Sequence, residues 1–467
     1  MAIITGSLDI HGAVPVYRQL YHRFREAIAK GQLRSGDRVP SVRALAAELN
    51  LARGTVEAAY QMLIGEGYLI PRGPAGTVVA HDLKPAVSPA ITPVAAEPSA
   101  RIHTGLAPPP LQMGLPALDA FPRKLWTRLA TRTLRQTGLE GLTYPDPCGH
   151  ASLRSALAGY LGISRGISCS PAQIFICAGY RACLELVYRS LLHTGDLGWF
   201  EEPGYFIARE YLKAAGLQLA PVPVDTAGLD VQLGMNLAPH ARFAVVTPSH
   251  QSPLGVSLSL PRRQALLEWA SQQKSWIIED DYDSEYRYQG HPLPALKSLD
   301  AQGRVLYIGT FSKVLVPGLR LAYLVVPEAQ TERVAHAADT LHNHCPSLQQ
   351  STVAAFIDEG HFGRHLKKMR SLYAFRRTLL IEALCNASGD VIQIDSQASG
   401  MHILARLGTH YDDKLIADRA QKTGLSVQAL SRWYMTSRTS SGLLLGFTNV
   451  ADKTQAADLA KRLYRCI

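Results

Sequence analysis

The sequence predicts a multi-domain chain: a small helical head that ends in a hairpin, then a large α/β domain built on a mostly parallel sheet. Three observations carry this. The 467 residues exceed what one hydrophobic core usually organises. Helical periodicity in the first eighty residues gives way to a stretch rich in proline and alanine. Apolar, strand-like runs then alternate with helical stretches over the remainder.

In the head, Tyr17, Leu20, Tyr21, Phe24, Ala27 and Ile28 recur at intervals of three and four between Val16 and Lys30, which makes one buried helix face. Gly31 and Arg34-Ser35-Gly36-Asp37 end that helix. A second begins after Pro40-Ser41, with Ser41 placed to cap it and Val42, Leu45, Ala46 and Leu49 facing inward. The third runs from about Ala52 to Gly65, turning Val56, Ala59, Leu63 and Ile64 inward and leaving Arg53, Thr55, Glu57, Ala58 and Gln61 outside. Tyr68-Leu69-Ile70 and Thr77-Val78-Val79 flank the tight loop from Pro71 to Gly76. Three helices and a hairpin in this order make a winged helix-turn-helix, whose third helix enters the major groove while the wing follows the backbone. Arg25 and Lys30 read as a solvated helix face.

Residues 81 to 101 contain Pro85, Pro89, Pro93 and Pro98 without an amphipathic period and read as an extended connector. If flexible, about twenty such residues separate their ends by about 25 Å. The expected domains are therefore 1–80, a linker over 81–101, and 102–467.

In the body, Ile174 to Cys177, Gly198 to Phe200, Phe243 to Val246, Trp276 to Ile278 and Val305 to Ile308 read as strands, with helices over Arg181 to Leu192 and Pro261 to Gln272. In such sheets ligands bind at loops off the strand ends. Polar residues gather there. Gly179-Tyr180-Arg181 opens a helix whose amides can receive phosphate. Glu202-Pro203-Gly204-Tyr205 offers a ring for stacking, and the turn from Thr247 to Gly255, with His250, is rich in hydrogen-bonding groups.

Composition narrows the classes. A hydrophobic content of 47% supports a large core. Seven cysteines without any C-x-x-C pair indicate reduced thiols and no metal site. Met1 to Ile10 has no basic segment, so neither a signal peptide nor a membrane anchor is expected. The formal charge of +10 is compatible with nucleic acid, yet the first eighty residues hold nine basic and six acidic side chains, so the excess is shared along the chain.

Two resemblances sharpen this reading. Pro40-Ser41-Val42-Arg43-Ala44-Leu45-Ala46 through Arg53-Gly54-Thr55-Val56, with Glu66-Gly67-Tyr68 and Gly73-Pro74-Ala75-Gly76-Thr77, is similar to the GntR-type DNA-binding domain. That implies DNA contacts from Arg43, Arg53, Thr55 and Arg72. Ala52 stands where that family usually has a capping serine, which forfeits about 1 kcal/mol and one phosphate contact.

Gly309-Thr310-Phe311-Ser312-Lys313 with Arg320, downstream of Asp280-Asp281-Tyr282, resembles the fold type I aminotransferases that hold pyridoxal 5'-phosphate (PLP). A lysine condenses with the aldehyde, a carboxylate keeps the pyridine nitrogen protonated, and an arginine neutralises phosphate. The resemblance implies a Schiff base at Lys313, Asp280 on the ring nitrogen and Tyr282 on the ring oxygen. It implies phosphate held by Arg320, Thr310, Ser312 and the amides of Gly179 and Tyr180, a stacking Tyr205, and His250 in the cofactor's surroundings. Tyr144, in Tyr144-Pro145-Asp146-Pro147-Cys148-Gly149, matches a tyrosine lent to the neighbouring subunit, so a homodimer is implied.

Head and body together resemble the MocR subfamily of GntR regulators, which implies a cytoplasmic transcription factor that binds promoter DNA. Its signal would be PLP or an amine or amino-acid effector. Arg181, Ser252 and Ala322 depart from the subfamily's usual glutamine, aromatic and glycine. The alternative is an active PLP-dependent aminotransferase with an appended DNA-binding domain. Turnover is disfavoured because Gly442 to Phe447 is apolar where transaminases of this fold carry a carboxylate-gripping arginine. Arg432, Arg438 and Arg209 are the candidates for a substitute grip on an effector.

Overall fold

The computed structural model describes residues 8–9, 14–81 and 108–467, except 291–292, 396, 409 and 437–439. All but the first residue of the expected connector, and Arg438, lie outside the described residues. The chain divides into two compact units, Met1–Thr104 and Gly105–Ile467.

The smaller unit contains α1 (Val16–Ala29), β1 (Arg38–Val39), α2 (Val42–Glu48), α3 (Arg53–Gly65), β2 (Leu69–Pro71) and β3 (Thr77–Val79). Leu20, Phe24, Val56, Ala59, Leu63 and Val79 are fully buried and form its core. Each large apolar side chain so buried stabilises the head by about 1.5–3 kcal/mol. Ser41 caps α2, its hydroxyl accepting from the Ala44 amide at 3.1 Å. Ala52 begins α3 with no side-chain acceptor, as expected.

Two details differ from the sequence reading. β1 completes a three-stranded sheet of order β1-β3-β2, and two residues are too short to show alternation. Lys30 pairs with Glu26 on the exposed face as foreseen, but Arg25 does more. Its guanidinium bonds the Tyr21 hydroxyl at 2.9 Å and lies over the Tyr21 and Tyr68 rings, tying α1 to the start of the wing.

The larger unit centres on an eight-stranded sheet. Its strands are β4 (Ile174–Cys177), β5 (Leu197–Glu202), β6 (Gln218–Asp225), β7 (Gly228–Leu229), β8 (Phe243–Val246), β9 (Trp276–Asp281), β10 (Val305–Thr310) and β11 (Ala322–Val325). Their order is β4-β11-β10-β9-β8-β5-β6-β7. The central run from β10 to β6 is parallel, and β11 is antiparallel to both its neighbours. Strands buried on both faces explain the unbroken apolar runs in the sequence.

A second, antiparallel sheet of order β12-β13-β15-β14 comprises β12 (Gln393–Ile394), β13 (His402–Leu407), β14 (Gln428–Ala429) and β15 (Ser441–Gly446). The apolar Gly442 to Phe447 segment lies mostly in β15. There Leu443 sits opposite Ala405 and Leu444 opposite Leu404, all fully buried. Among the described residues no helix is long and apolar enough to cross a membrane.

Candidate functional site

The parallel register of β8, β9 and β10 brings their C-terminal ends together, with Asp280 beside Ile308. Alternation along β9 then separates three acidic neighbours. Glu279 turns away and accepts from the Leu296 and Lys297 amides at 2.8 Å each. Asp281 accepts from the Tyr307 hydroxyl at 2.7 Å and pairs with buried Arg165 at 3.1 Å. Asp280 faces a cavity lined also by Met113, Gly114, Tyr205, Ser252, Tyr282, Asp283, Lys313, Met401 and His402.

Burial raises the Asp280 carboxyl to about 8, with the charges of Asp281 and Glu201 adding to the rise while Tyr180 and Lys313 oppose it. Lys313 stands in a single helical turn, Phe311–Val314, directly after β10. Its amine donates to the Gly114 carbonyl at 2.7 Å. Burial lowers its pKa, against the pull of Asp283 and Asp280, and favours the neutral amine that acts as a nucleophile.

The Tyr282 hydroxyl lies 2.9 Å from His250 Nδ1, and the same nitrogen lies 2.9 Å from Asp283 Oδ1. His250 is buried and does not line the cavity; it reaches the site only through Tyr282 and Asp283. Its ring sits behind Tyr282 and Asp283, the two side chains that do face the cavity.

Several of the residues expected to hold phosphate gather at the start of the helix over Tyr180–Leu191. Gly179 precedes it at φ +103°, and a Cβ there would stand 2.9 Å from the Arg320 guanidinium. Arg320, itself in the left-handed region, donates to the Ala178 carbonyl at 3.0 Å. The Thr310 hydroxyl accepts from the Ser312 amide at 3.2 Å. The Tyr205 ring lines the cavity 6.0 Å from the Tyr180 ring. Tyr144 is 92% exposed and does not line the cavity.

Of the effector candidates, Arg209 and Arg432 do not line the cavity, and Arg438 lies outside the described residues. Arg209 donates to the carbonyls of Trp433 and Arg432, and the Arg432 side chain pairs with Asp418 at 2.6 Å on the surface. Their positive charge signalled a carboxylate site in the sequence, but both guanidinium groups serve local structure. Sequence reasoning missed Asp283, which the acidic run 279–285 could have signalled, and also Met113, Gly114, Met401 and His402. Those four come from segments remote from Lys313 with no motif of their own.

In the head, Arg43 and Arg53 are exposed on the first turns of α2 and α3, with Thr55 half-buried beside Arg53. Arg72 is exposed at the wing, 3.0 Å from His81. Arg38 lies against Gly76, a further wing cation that the sequence reading did not single out.

Comparison with known proteins agrees with both units. Residues 16–79 match the family described as bacterial regulatory proteins, gntR family, and residues 121–440 match aminotransferase class I and II. The chain is 37% identical to the probable rhizopine catabolism regulatory protein MocR of Rhizobium meliloti, over 96% of this chain and 93% of that protein. The chain belongs to the MocR subfamily of GntR-type regulators. It is also 32% identical to the HTH-type pyridoxine biosynthesis transcriptional regulator PdxR of Corynebacterium glutamicum, over 96% of this chain and 95% of that protein. Among solved structures, the kynurenine aminotransferase of Pyrococcus horikoshii, crystallised with PMP, superposes with a TM-score of 0.70 at 28% identity. The match covers 76% of this MocR-type chain and 89% of the enzyme. The α-aminoadipate aminotransferase LysN of Thermus thermophilus gives a TM-score of 0.69 at 27% identity, covering 76% and 91%.

Proposed function

We propose that this chain is a DNA-binding transcriptional regulator that holds PLP at Lys313 and uses the cofactor, or an amine that meets it there, as its signal. The observation that carries the reading is the convergence of Lys313, Asp280, Tyr282 and Tyr205 on one cavity, in a chain that also folds a winged helix.

The residues fit the cofactor. Burial leaves the Asp280 carboxyl short of a positive partner, the need a protonated ring nitrogen meets. Gly179 keeps open the space beside Arg320 that a side chain would fill, and the helix N-terminus there suits a phosphate. Bound PLP supplies an aldehyde that captures primary amines. The protein's part is to present the Lys313 amine, whose pKa burial lowers, to hold a proton between Asp280 and the ring nitrogen, and to fix Tyr282 through His250. Tyr144, Leu139 and Leu142 are 92%, 84% and 70% exposed, which supports pairing with a second subunit. The regulator would act in the cytoplasm, where promoter DNA is accessible.

One observation favours a second reading, an active aminotransferase: Lys313 is placed to move a proton as well as to anchor a cofactor. Against it stands the buried apolar pairing of β13 with β15, where no guanidinium faces a substrate carboxylate among the described residues. Reconstitution with PLP and assay for keto-acid formation separates the two. Sustained, donor-dependent turnover would replace the regulatory reading.

A further inference from the structure

Asp283 has so far served only as a partner of His250, yet it lines the same cavity as Lys313 and is 1% exposed. Its Oδ1 lies 2.9 Å from His250 Nδ1, while Oδ2 is buried with no hydrogen-bond partner. Buried carboxylate oxygens rarely stay unpaired in folded proteins, so an oxygen left open at a cavity calls for a donor that arrives from outside.

The remaining lining residues restrict what that donor belongs to. Lys313 is the one lysine or arginine among the described lining residues, and its amine already donates to the Gly114 carbonyl. His402 contributes no charge, because burial and the neighbouring His250 lower it to about 4, and its Nε2 donates to the Pro253 carbonyl at 3.0 Å. Tyr282 and Ser252 are neutral, while Met113, Met401 and Tyr205 supply apolar wall. A ligand carboxylate would meet Asp283 with no arginine among the described lining residues to receive it, and two carboxylates in a dry site repel.

We propose that this cavity selects a primary amine that bears a hydroxyl or a second ammonium group and no carboxylate, with Asp283 as its acceptor. The proposal rests on the PLP reading of the site and adds to it the chemistry of the effector. Lys313 and Asp280 attend to the cofactor, and Asp283 reads the far end of the amine.

The test uses the full chain reconstituted with PLP, its visible absorption band recorded first. Propylamine, aminopropanol, diaminopropane and β-alanine, which share a three-carbon length, are then titrated while the band and the melting temperature are followed. Aminopropanol or diaminopropane is expected to act at concentrations roughly tenfold below propylamine and β-alanine. Asp283→Asn is expected to erase that advantage while propylamine responds as before, and Arg438→Ala is expected to change no ranking. A wild-type protein that responds first to β-alanine overturns the proposal alone, as does loss of the response in Arg438→Ala. If Asp283→Asn does not fold, the wild-type ranking still decides. Absence of any visible band in the wild type instead removes the cofactor reading, and the proposal with it.

Discussion

Asp280→Asn is the substitution whose consequence can be worked furthest from the structure. Burial raises this carboxyl from an ordinary value of 3.8 to about 8. A raised carboxyl means that the folded protein binds a proton that the unfolded chain releases. The penalty is therefore absent below the ordinary value, grows as pH rises, and is complete above about 8. At about 1.4 kcal/mol per pH unit, the cost is about 1.6 kcal/mol at pH 5 and about 5 kcal/mol at pH 8. Asparagine removes the titration and keeps the shape. Urea unfolding without cofactor, at the two pH values, should show the wild type losing about 4 kcal/mol more than Asp280→Asn between them. Glu279, raised to about 7 by burial, titrates in both proteins, so the comparison isolates Asp280 together with its coupling to Glu201. PLP should then reverse the order at pH 8, stabilising the wild type and leaving Asp280→Asn unchanged. Parallel pH dependence of the two proteins would refute the reasoning, because it would mean that Asp280 is not held short of a cation.

Three further outcomes are expected. Ala52→Ser should supply the missing cap of α3, raising the head's stability by about 1 kcal/mol in thermal unfolding and tightening DNA binding through an added phosphate contact. Gly179→Ala, at φ +103° with Arg320 2.9 Å from the new Cβ, should weaken PLP binding at least tenfold in an absorbance titration while leaving DNA binding intact. Arg53→Ala should reduce the slope of log affinity against log salt for promoter DNA by about one, with the PLP spectrum unaltered.

Local pattern made the head legible almost residue by residue. Its helices carry their own periodicity, and Ser41 caps where expected. Two-residue β1 escaped because a strand that short is defined by its partner β3 and not by its own side chains. In the body, runs such as Val305 to Ile308 announced themselves as buried strands, whereas β11 and the second sheet depend on long-range pairing that no short window contains. The same division holds at the site. Lys313, Asp280 and Tyr282 sit at strand ends within recognisable runs. His402 and Met113 arrive from segments far away in the chain, and only the folded cavity shows them. Arg209 and Arg432 look available in sequence, while in the structure Arg209 bonds two carbonyls and Arg432 pairs with Asp418.

The claim that the PLP site informs the DNA-binding head requires a ligand that binds one state of the regulator better than another. Binding of promoter DNA from the adjoining genes, titrated with and without PLP and then with the responsive amine, in wild type and in Lys313→Ala, tests it most directly. The account predicts that wild-type affinity or footprint changes with the ligand, and that Lys313→Ala binds the same DNA, lacks the visible band and ignores the ligand. A Lys313→Ala protein whose DNA binding responds as the wild type does would contradict it.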